Sequence, residues 1–207
     1  MTPPAAGPPP PSLLHALESV VDRLDFQTLF PVAQPVEVEL GSGDGSFLVR
    51  YARLHPERNF LGIERLLGRI RKLDRKGRRA GLANLKGLRI EAAYCLEYLL
   101  PAHAAVVVHV YFPDPWPKRR HQARRLVNER FPRLLRGVLA PGGRVYLRTD
   151  DPEYFAQMQA VFAADPAFSG VATPLELEAC QTDFERDFRA QGKPIFGAAC
   201  QLASPAS

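Results

Sequence analysis

The chain has few cysteines, one tryptophan and no long apolar run, and each shortage excludes something. Cys95, Cys180 and Cys200 are its only thiols. An odd number without a C-x-x-C spacing excludes a disulfide framework and a cysteine zinc site, and fits a reducing compartment. No hydrophobic stretch approaches the length a membrane-spanning helix needs, and no basic segment leads into an apolar core at the N-terminus. A soluble, cytoplasmic protein with no membrane contact is therefore expected. No internal repeat is visible.

A chain of 207 residues that is 46% hydrophobic has enough material for one sizeable core. The net charge of +5 is modest, but its placement is uneven. Between Arg65 and Arg89 lie ten basic residues and one acid, Asp74; between Lys118 and Arg136 lie eight and one, Glu129. Either run alone reads equally well as a solvated helix face. Two in one domain build a field that attracts phosphate and weakens with salt, which points to RNA.

Residues 1–11 hold six prolines and read as an extended, disordered tail, leaving 12–207 as a single domain. Ser12 is a good N-cap, and the spacing from Leu13 to Leu24 predicts a short helix. Strands are predicted at 36–40, 59–63, 88–90, 105–110, 144–148 and 195–201. Helices are predicted at 46–54, 65–76 (Leu66, Ile70 and Leu73 inward), 95–100, 129–139 and 152–163. Alternation of this kind means an α/β doubly wound domain with a mainly parallel sheet.

The first of those strands runs into Gly41-Ser42-Gly43-Asp44-Gly45, with a helix after it. Glycines here permit a sharp turn and the close approach of a ligand; a plain tight turn is the alternative. Glu39 ends the first strand and Glu64 the second, where an acid can hydrogen-bond both hydroxyls of a ribose. Ser46 occupies the sixth position of what would be G-x-G-x-x-G, so the loop lacks the dinucleotide pattern. That absence favours S-adenosyl-L-methionine, whose cationic amino-acid part suits a turn flanked by Glu39 and Asp44.

The most distinctive stretch is Phe112-Pro113-Asp114-Pro115-Trp116-Pro117-Lys118-Arg119-Arg120-His121, followed by Arg124 and Arg125. Prolines on both sides of Asp114 restrict its backbone and suit a carboxylate needed in one place. Trp116 reads either as a stacking platform or as core packing. Leu147-Arg148-Thr149-Asp150 and Thr182-Asp183-Phe184-Glu185-Arg186 are further motifs, with Gly192-Lys193-Pro194-Ile195 after them.

On these motifs, spread from about Val36 to Ala199, the chain resembles the bacterial tRNA (guanine-N7-)-methyltransferase family. The resemblance implies a Rossmann-like class I fold with a seven-stranded sheet, S-adenosyl-L-methionine as cofactor, and methyl transfer to N7 of a guanine in the variable loop of tRNA. It implies cofactor contacts from Glu39, Gly41, Gly43, Gly45, Glu64 and Asp114, with Asp114 also the active-site acid. Substrate contacts are implied for Lys118, Arg120, His121, Arg124, Arg125, Asp150, Thr182, Asp183, Phe184 and Glu185. No metal is implied, and a monomer or homodimer is expected.

Two positions depart from the family. Tyr94 stands where an Asp is expected to meet the adenine amino group, a contact a phenol replaces only in part. Ala123 stands where a Lys is usual. These departures keep open a tRNA-binding member of the fold with weakened or lost catalysis. A methyltransferase of this fold acting on a small molecule or protein is a third reading, which the basic runs oppose.

Overall fold

The computed structural model describes residues 11–204. The proline-rich segment expected to be disordered falls, from residue 1 to residue 10, outside the described residues. The chain runs β1 (Leu14–His15), α1 (Phe26–Leu29), β2 (Val36–Leu40), α2 (Ser46–Leu54), β3 (Asn59–Ile63), α3 (Leu67–Arg79), β4 (Leu85–Leu88) and α4 (Ala92–Tyr94). A π-helical turn at Cys95–Leu99 leads to β5 (Ala105–Tyr111), and a 3₁₀ segment at Arg119–Arg124 leads to α5 (Phe131–Val138). Then come β6 (Leu139–Thr149), α6 (Pro152–Ala163), β7 (Phe168–Gly170), α7 (Leu175–Ala179), α8 (Asp183–Ala190) and β8 (Phe196–Leu202).

The strands form one sheet in the order β1-β4-β3-β2-β5-β6-β8-β7, parallel except where β8 pairs with β6 and β7. Strand order reverses beside β2, between β3 and β5, and in an open sheet of this kind ligands bind outside the carboxyl ends of the strands at that reversal. The sheet is an α/β doubly wound one, as expected, with eight strands where seven were implied.

The eighth strand replaces a predicted helix. Leu14 and His15 lie along the β4 edge, the Leu13 carbonyl accepts from the Gly87 N–H at 3.0 Å, and the Leu13 N–H donates to Asp74 at 2.7 Å. The edge satisfies the backbone, so helical bonds are not needed there. Val20 and Val21, which helical spacing turned inward, are exposed. Leu66 is likewise 44% exposed, because α3 begins one residue later; Ile70 and Leu73 are buried as predicted.

Alternation along β2 sorts the sheet's two faces. Val36, Val38 and Leu40 enter one core with Val108 and Val110, while Glu37 and Glu39 enter the other beside Phe47 and Tyr51. Glu37 is fully occupied there. Its carboxylate accepts from Arg58 at 2.7 Å and meets His109 Nε2 at 2.8 Å, and His109 Nδ1 meets the Tyr111 hydroxyl at 2.8 Å. Burial pushes the Glu37 carboxyl up, but His109 and Arg58 together hold it below its ordinary value. Glu39 has no such partners.

Candidate functional site

Gly41, Gly43 and Gly45 adopt φ of +86°, +56° and +75°, the left-handed region that side chains avoid. The Gly41 and Ser42 N–H groups both donate to the Ile63 carbonyl, which pins the turn to the end of β3. A Cβ on Gly41 or Gly43 would meet no atom within 4 Å and would stand in the open cleft. Gly45 differs: a Cβ there would lie 2.7 Å from Leu73 Cγ. So two glycines leave room for a ligand, and the third lets α2 pack against α3.

Glu39 is 3% exposed, and its Oε2 has no hydrogen-bond partner. Burial pushes its carboxyl up to about 8; Arg148 opposes this, while Asp44 and Glu64 add to it. The buried Ser42 Oγ is also unpartnered. An unpartnered buried carboxyl facing a glycine cradle suits a cationic, hydrogen-bonding ligand. Asp44, the other acid of the turn, is already paired with Lys76 at 2.7 Å.

Two connected recesses flank this turn. A cleft of about 390 Å³ is lined by Gly41, Glu64, Arg69, Glu91, Asp114 and Trp116, among others. A narrower recess of about 50 Å³ holds Glu39, Gly43, Asp44, Thr182 and Phe184; both share Gly41, Arg69, Tyr111 and Phe112. Glu64 accepts from the Leu66 N–H at 2.7 Å, which leaves its other oxygen for a ligand. The donor set fits S-adenosyl-L-methionine: an anionic pocket for the ammonium at Glu39, room at the glycines, and an acid for the ribose at Glu64.

Asp114 is exposed on the far wall of the cleft. Phe112 and Trp116, two residues to either side, have φ of +50° and +45°. Two non-glycine residues in that region cost of order 1–3 kcal/mol each, and such strain persists only where the surroundings over-determine it. Alongside the Phe112 N–H, which donates to the Arg148 carbonyl at 2.8 Å, Arg125 is one determinant. It is 2% exposed, its Nε donates to the Pro115 carbonyl at 2.7 Å, and its Nη1 donates to Gln157 at 2.6 Å. Its guanidinium also lies 4.9 Å from the Tyr154 ring centre. Arg125 was expected to face RNA; its donors are instead spent inside the protein, holding the loop that carries Asp114.

The neighbouring cations do face outward. Lys118, Arg120 and Arg124 are exposed, Arg124 lies 5.2 Å from the Trp116 ring centre, and His121 meets the same ring edge-on. Trp116 is thus a half-buried platform at the cleft rim rather than a core residue.

Two further sequence-based expectations change. Tyr94 is absent from the cleft lining: its hydroxyl donates to the Val20 carbonyl at 2.8 Å and its ring packs on Tyr98. Glu91, at the N-cap of α4, lines the cleft instead, its carboxylate accepting from the Ala93 and Tyr94 N–H groups. Glu185 is 1% exposed and bonded to Arg148 at 2.9 Å and Arg189 at 2.8 Å, so it anchors α8 rather than facing the cleft. Thr182 caps α8 through the Glu185 N–H but also lines the narrower recess. Phe184 is exposed at that recess, Asp183 sits beside it 3.7 Å from Lys76, and Asp150 stands half-buried at the end of β6.

Arg148 was overlooked as a supporting residue. It bonds Glu185 and the carbonyls of Leu177 and Cys180, and lies 4.6 Å from the Tyr111 ring centre, so it ties α7 and α8 to the sheet. Its signal was a cation at the end of a strand that every neighbour marks as buried.

A glycine turn leaving the central strand β2, an acid at the end of β3, a strand order that reverses between β2 and β5, and the unpartnered Glu39 facing the turn together mark a class I, Rossmann-like S-adenosylmethionine-dependent methyltransferase. The solved 16S rRNA methyltransferase KamB shares the fold, with a TM-score of 0.61 at 20% identity over 87% of this chain and 93% of that one. A family model described as putative methyltransferase matches residues 33–198. The tRNA (guanine-N(7)-)-methyltransferase of Myxococcus xanthus is 33% identical over 88% of this chain and 89% of its own length. The one of Syntrophotalea carbinolica is 35% identical over 86% and 78%. The chain belongs to the tRNA (guanine-N7-)-methyltransferase family.

Proposed function

We propose that this protein methylates N7 of a guanine in tRNA, in the variable loop, and does so in the cytoplasm as a monomer or homodimer without a metal. The observation that carries the reading is one cleft with an orphaned buried carboxylate and a glycine cradle on one side and Asp114, on a strained and buttressed loop, on the other.

The cofactor, when bound, supplies an electrophilic sulfonium methyl group. Glu39 and the glycine turn hold its amino-acid end, and Glu64 holds the ribose, with Glu91 beside it. Guanine N7 already carries a lone pair, so no base is needed before attack and no metal is needed to make a nucleophile. The protein's contribution is alignment and charge. Asp114 and Asp150 accept hydrogen bonds from guanine N1–H and N2–H, which adenine lacks in that arrangement, and offset the positive charge that arrives on the base. Trp116 and Phe184 offer aromatic surface at the rim. Lys118, Arg120 and Arg124 hold phosphates, which gives affinity rather than base choice.

The reading is tested with radiolabelled S-adenosylmethionine and two unmodified tRNA transcripts, carrying guanine or adenine at the variable-loop position. Transfer only to the guanine transcript is expected, and Asp114→Ala is expected to abolish it with the fold intact. Binding of both transcripts without transfer, and without heat on adding S-adenosylhomocysteine, would support the non-catalytic reading instead. Tyr94, turned away from the cleft, weakens that alternative, since one of the two departures that prompted it does not line the cleft.

A further inference from the structure

The charge on α3 exceeds anything the cleft needs. Its thirteen residues carry seven cations and a single acid, Asp74, which is taken up by Leu13, Ser12 and Arg78. Arg69, Lys72, Lys76 and Arg79 follow one another at three- and four-residue spacing, so they form one stripe along the helix. Like charges so spaced repel by a few tenths of a kcal/mol per pair, and a cation in the first turn is opposed by the helix dipole. Arg69 is in that first turn, with no acid in it and no side-chain cap before it. At Arg69 the sequence therefore works against the helix dipole, while Lys76 and Arg79 in the last turn are favoured by it, so the dipole does not account for the whole stripe.

The stripe has a beginning and an end. Arg69 lines both recesses of the methylation site, with its guanidinium 5.7 Å from the Phe184 ring centre. Ten residues further, about 15 Å along the axis at 1.5 Å per residue, Arg79 and Lys76 line an open groove of about 550 Å³ between α2 and α3. Arg50 and Arg53 form its other wall. Lys76 pairs with Asp44 at 2.7 Å and Asp183 is bonded to Arg186, so the acids at the groove do not cancel its other cations. Among the described residues Arg53, Lys72, Arg75 and Arg79 make no ion pair, and all four are exposed. The apolar face of α3 is buried through Ile70, Leu73 and Gly77, so the helix has none free to lay into a lipid surface.

We propose that this face of α3, continuing into the groove against α2, is a second phosphodiester-binding track that carries the RNA backbone away from the methylation cleft. The proposal rests on the reading of the cleft as a tRNA methylation site. Its chemistry is that of repeated cation–phosphate contacts, each releasing a counterion, with no base recognition.

The test compares the triple variant Lys72→Ser, Arg75→Ser, Arg79→Ser with a second triple, Arg133→Ser, Arg136→Ser, Arg144→Ser, that removes equal charge from α5 and the middle of β6. Binding of an unmodified tRNA transcript is measured from 50 to 200 mM KCl, alongside methyl transfer and S-adenosylhomocysteine affinity. For the α3 variant we expect KM for tRNA to rise about 10- to 100-fold, kcat at saturating tRNA and cofactor affinity to hold, and the slope of log K against log salt to flatten by about two, at 0.7–0.9 per lost phosphate contact. The second triple is expected to change little.

Equal losses in both triples would mean net charge rather than a track and would overturn the proposal. So would an unchanged α3 triple in a wild-type background that methylates. Polyglutamate binding that the α3 triple abolishes, with tRNA binding intact, would reassign the face to an acidic protein. Absence of methyl transfer by the wild-type protein, with salt-sensitive tRNA binding that only the α3 triple loses, would uphold the track and overturn the reading of the cleft.

Discussion

Replacing Glu39 by Gln probes the cofactor end of the cleft through a proton. Without a ligand the buried Glu39 carboxyl titrates near 8 rather than at 4.5, chiefly because burial penalises its charge. Between those values the folded protein keeps a proton that the unfolded chain releases, so stability falls as pH rises through the window. At about 1.4 kcal/mol per pH unit the loss reaches a few kcal/mol by pH 8. A cationic ammonium docking against Glu39 reverses the preference and expels the proton. Below pH 8, binding of S-adenosylhomocysteine is therefore coupled to release of one proton, and its Kd falls about tenfold per unit as pH rises from 6 to 8. Calorimetry in buffers of different ionisation enthalpy counts that proton at pH 6.5. Glu39→Gln should abolish both the proton release and the pH slope between 6 and 8, while weakening binding at pH 8. A flat wild-type Kd with no proton released, or an unchanged slope in the variant, would refute the assignment of Glu39 to the ammonium.

Other substitutions separate folding from function. Arg125→Met leaves the Pro115 carbonyl and Gln157 unpaired and should cost about 2–4 kcal/mol in urea unfolding, at 1–3 kcal/mol per buried orphan, and reduce methyl transfer. Arg124→Ala, one residue earlier and exposed, should leave the unfolding midpoint unchanged and weaken tRNA binding. Gly45→Ala drives a Cβ into Leu73 and should destabilise by about 2–4 kcal/mol from overpacking and left-handed strain. Gly43→Ala should cost only about 1–2 kcal/mol in stability but raise the Kd for S-adenosylhomocysteine. His109→Phe strips Glu37 of a buried partner and should lose about 3–5 kcal/mol, most of it regained when Glu37→Leu is added. Additive losses in that pair would show that the two groups are not coupled.

What the sequence discloses divides along a physical line. Strands β2 and β3 and helices α2 and α6 fall where period and punctuation put them, because Pro35, the glycine turn and Pro152 bound two uniformly buried strands and two helices buried along one face. The glycine turn was legible for a similar reason, since its backbone demands glycine, and Glu39, Glu64 and Asp114 reach the recesses because strand ends and a proline-flanked loop fix their position. The direction of a side chain was not. Arg125 and Arg124 are adjacent cations in one basic run, yet one is 2% exposed and the other lies over Trp116 on the surface. The turn after Gln122 and the hydroxyl of Tyr154, about thirty residues on, decide which is which. Tyr94 and Glu185 were misassigned in the same way, each having a partner remote in sequence, Val20 and Arg148. Edge effects were illegible too, since β1 exists only because β4 offers an unpaired edge and Gly87 lets Leu14 approach it. A charge run thus gives the sign and strength of a field, whereas long-range hydrogen bonds decide which of its members support the fold. In this protein the buried cations Arg125, inside the second basic run, and Arg148, beyond it, hold in place the loop that bears Asp114 and the two helices beside Glu39, so the outward-facing cations act on a site that inward-facing ones have built.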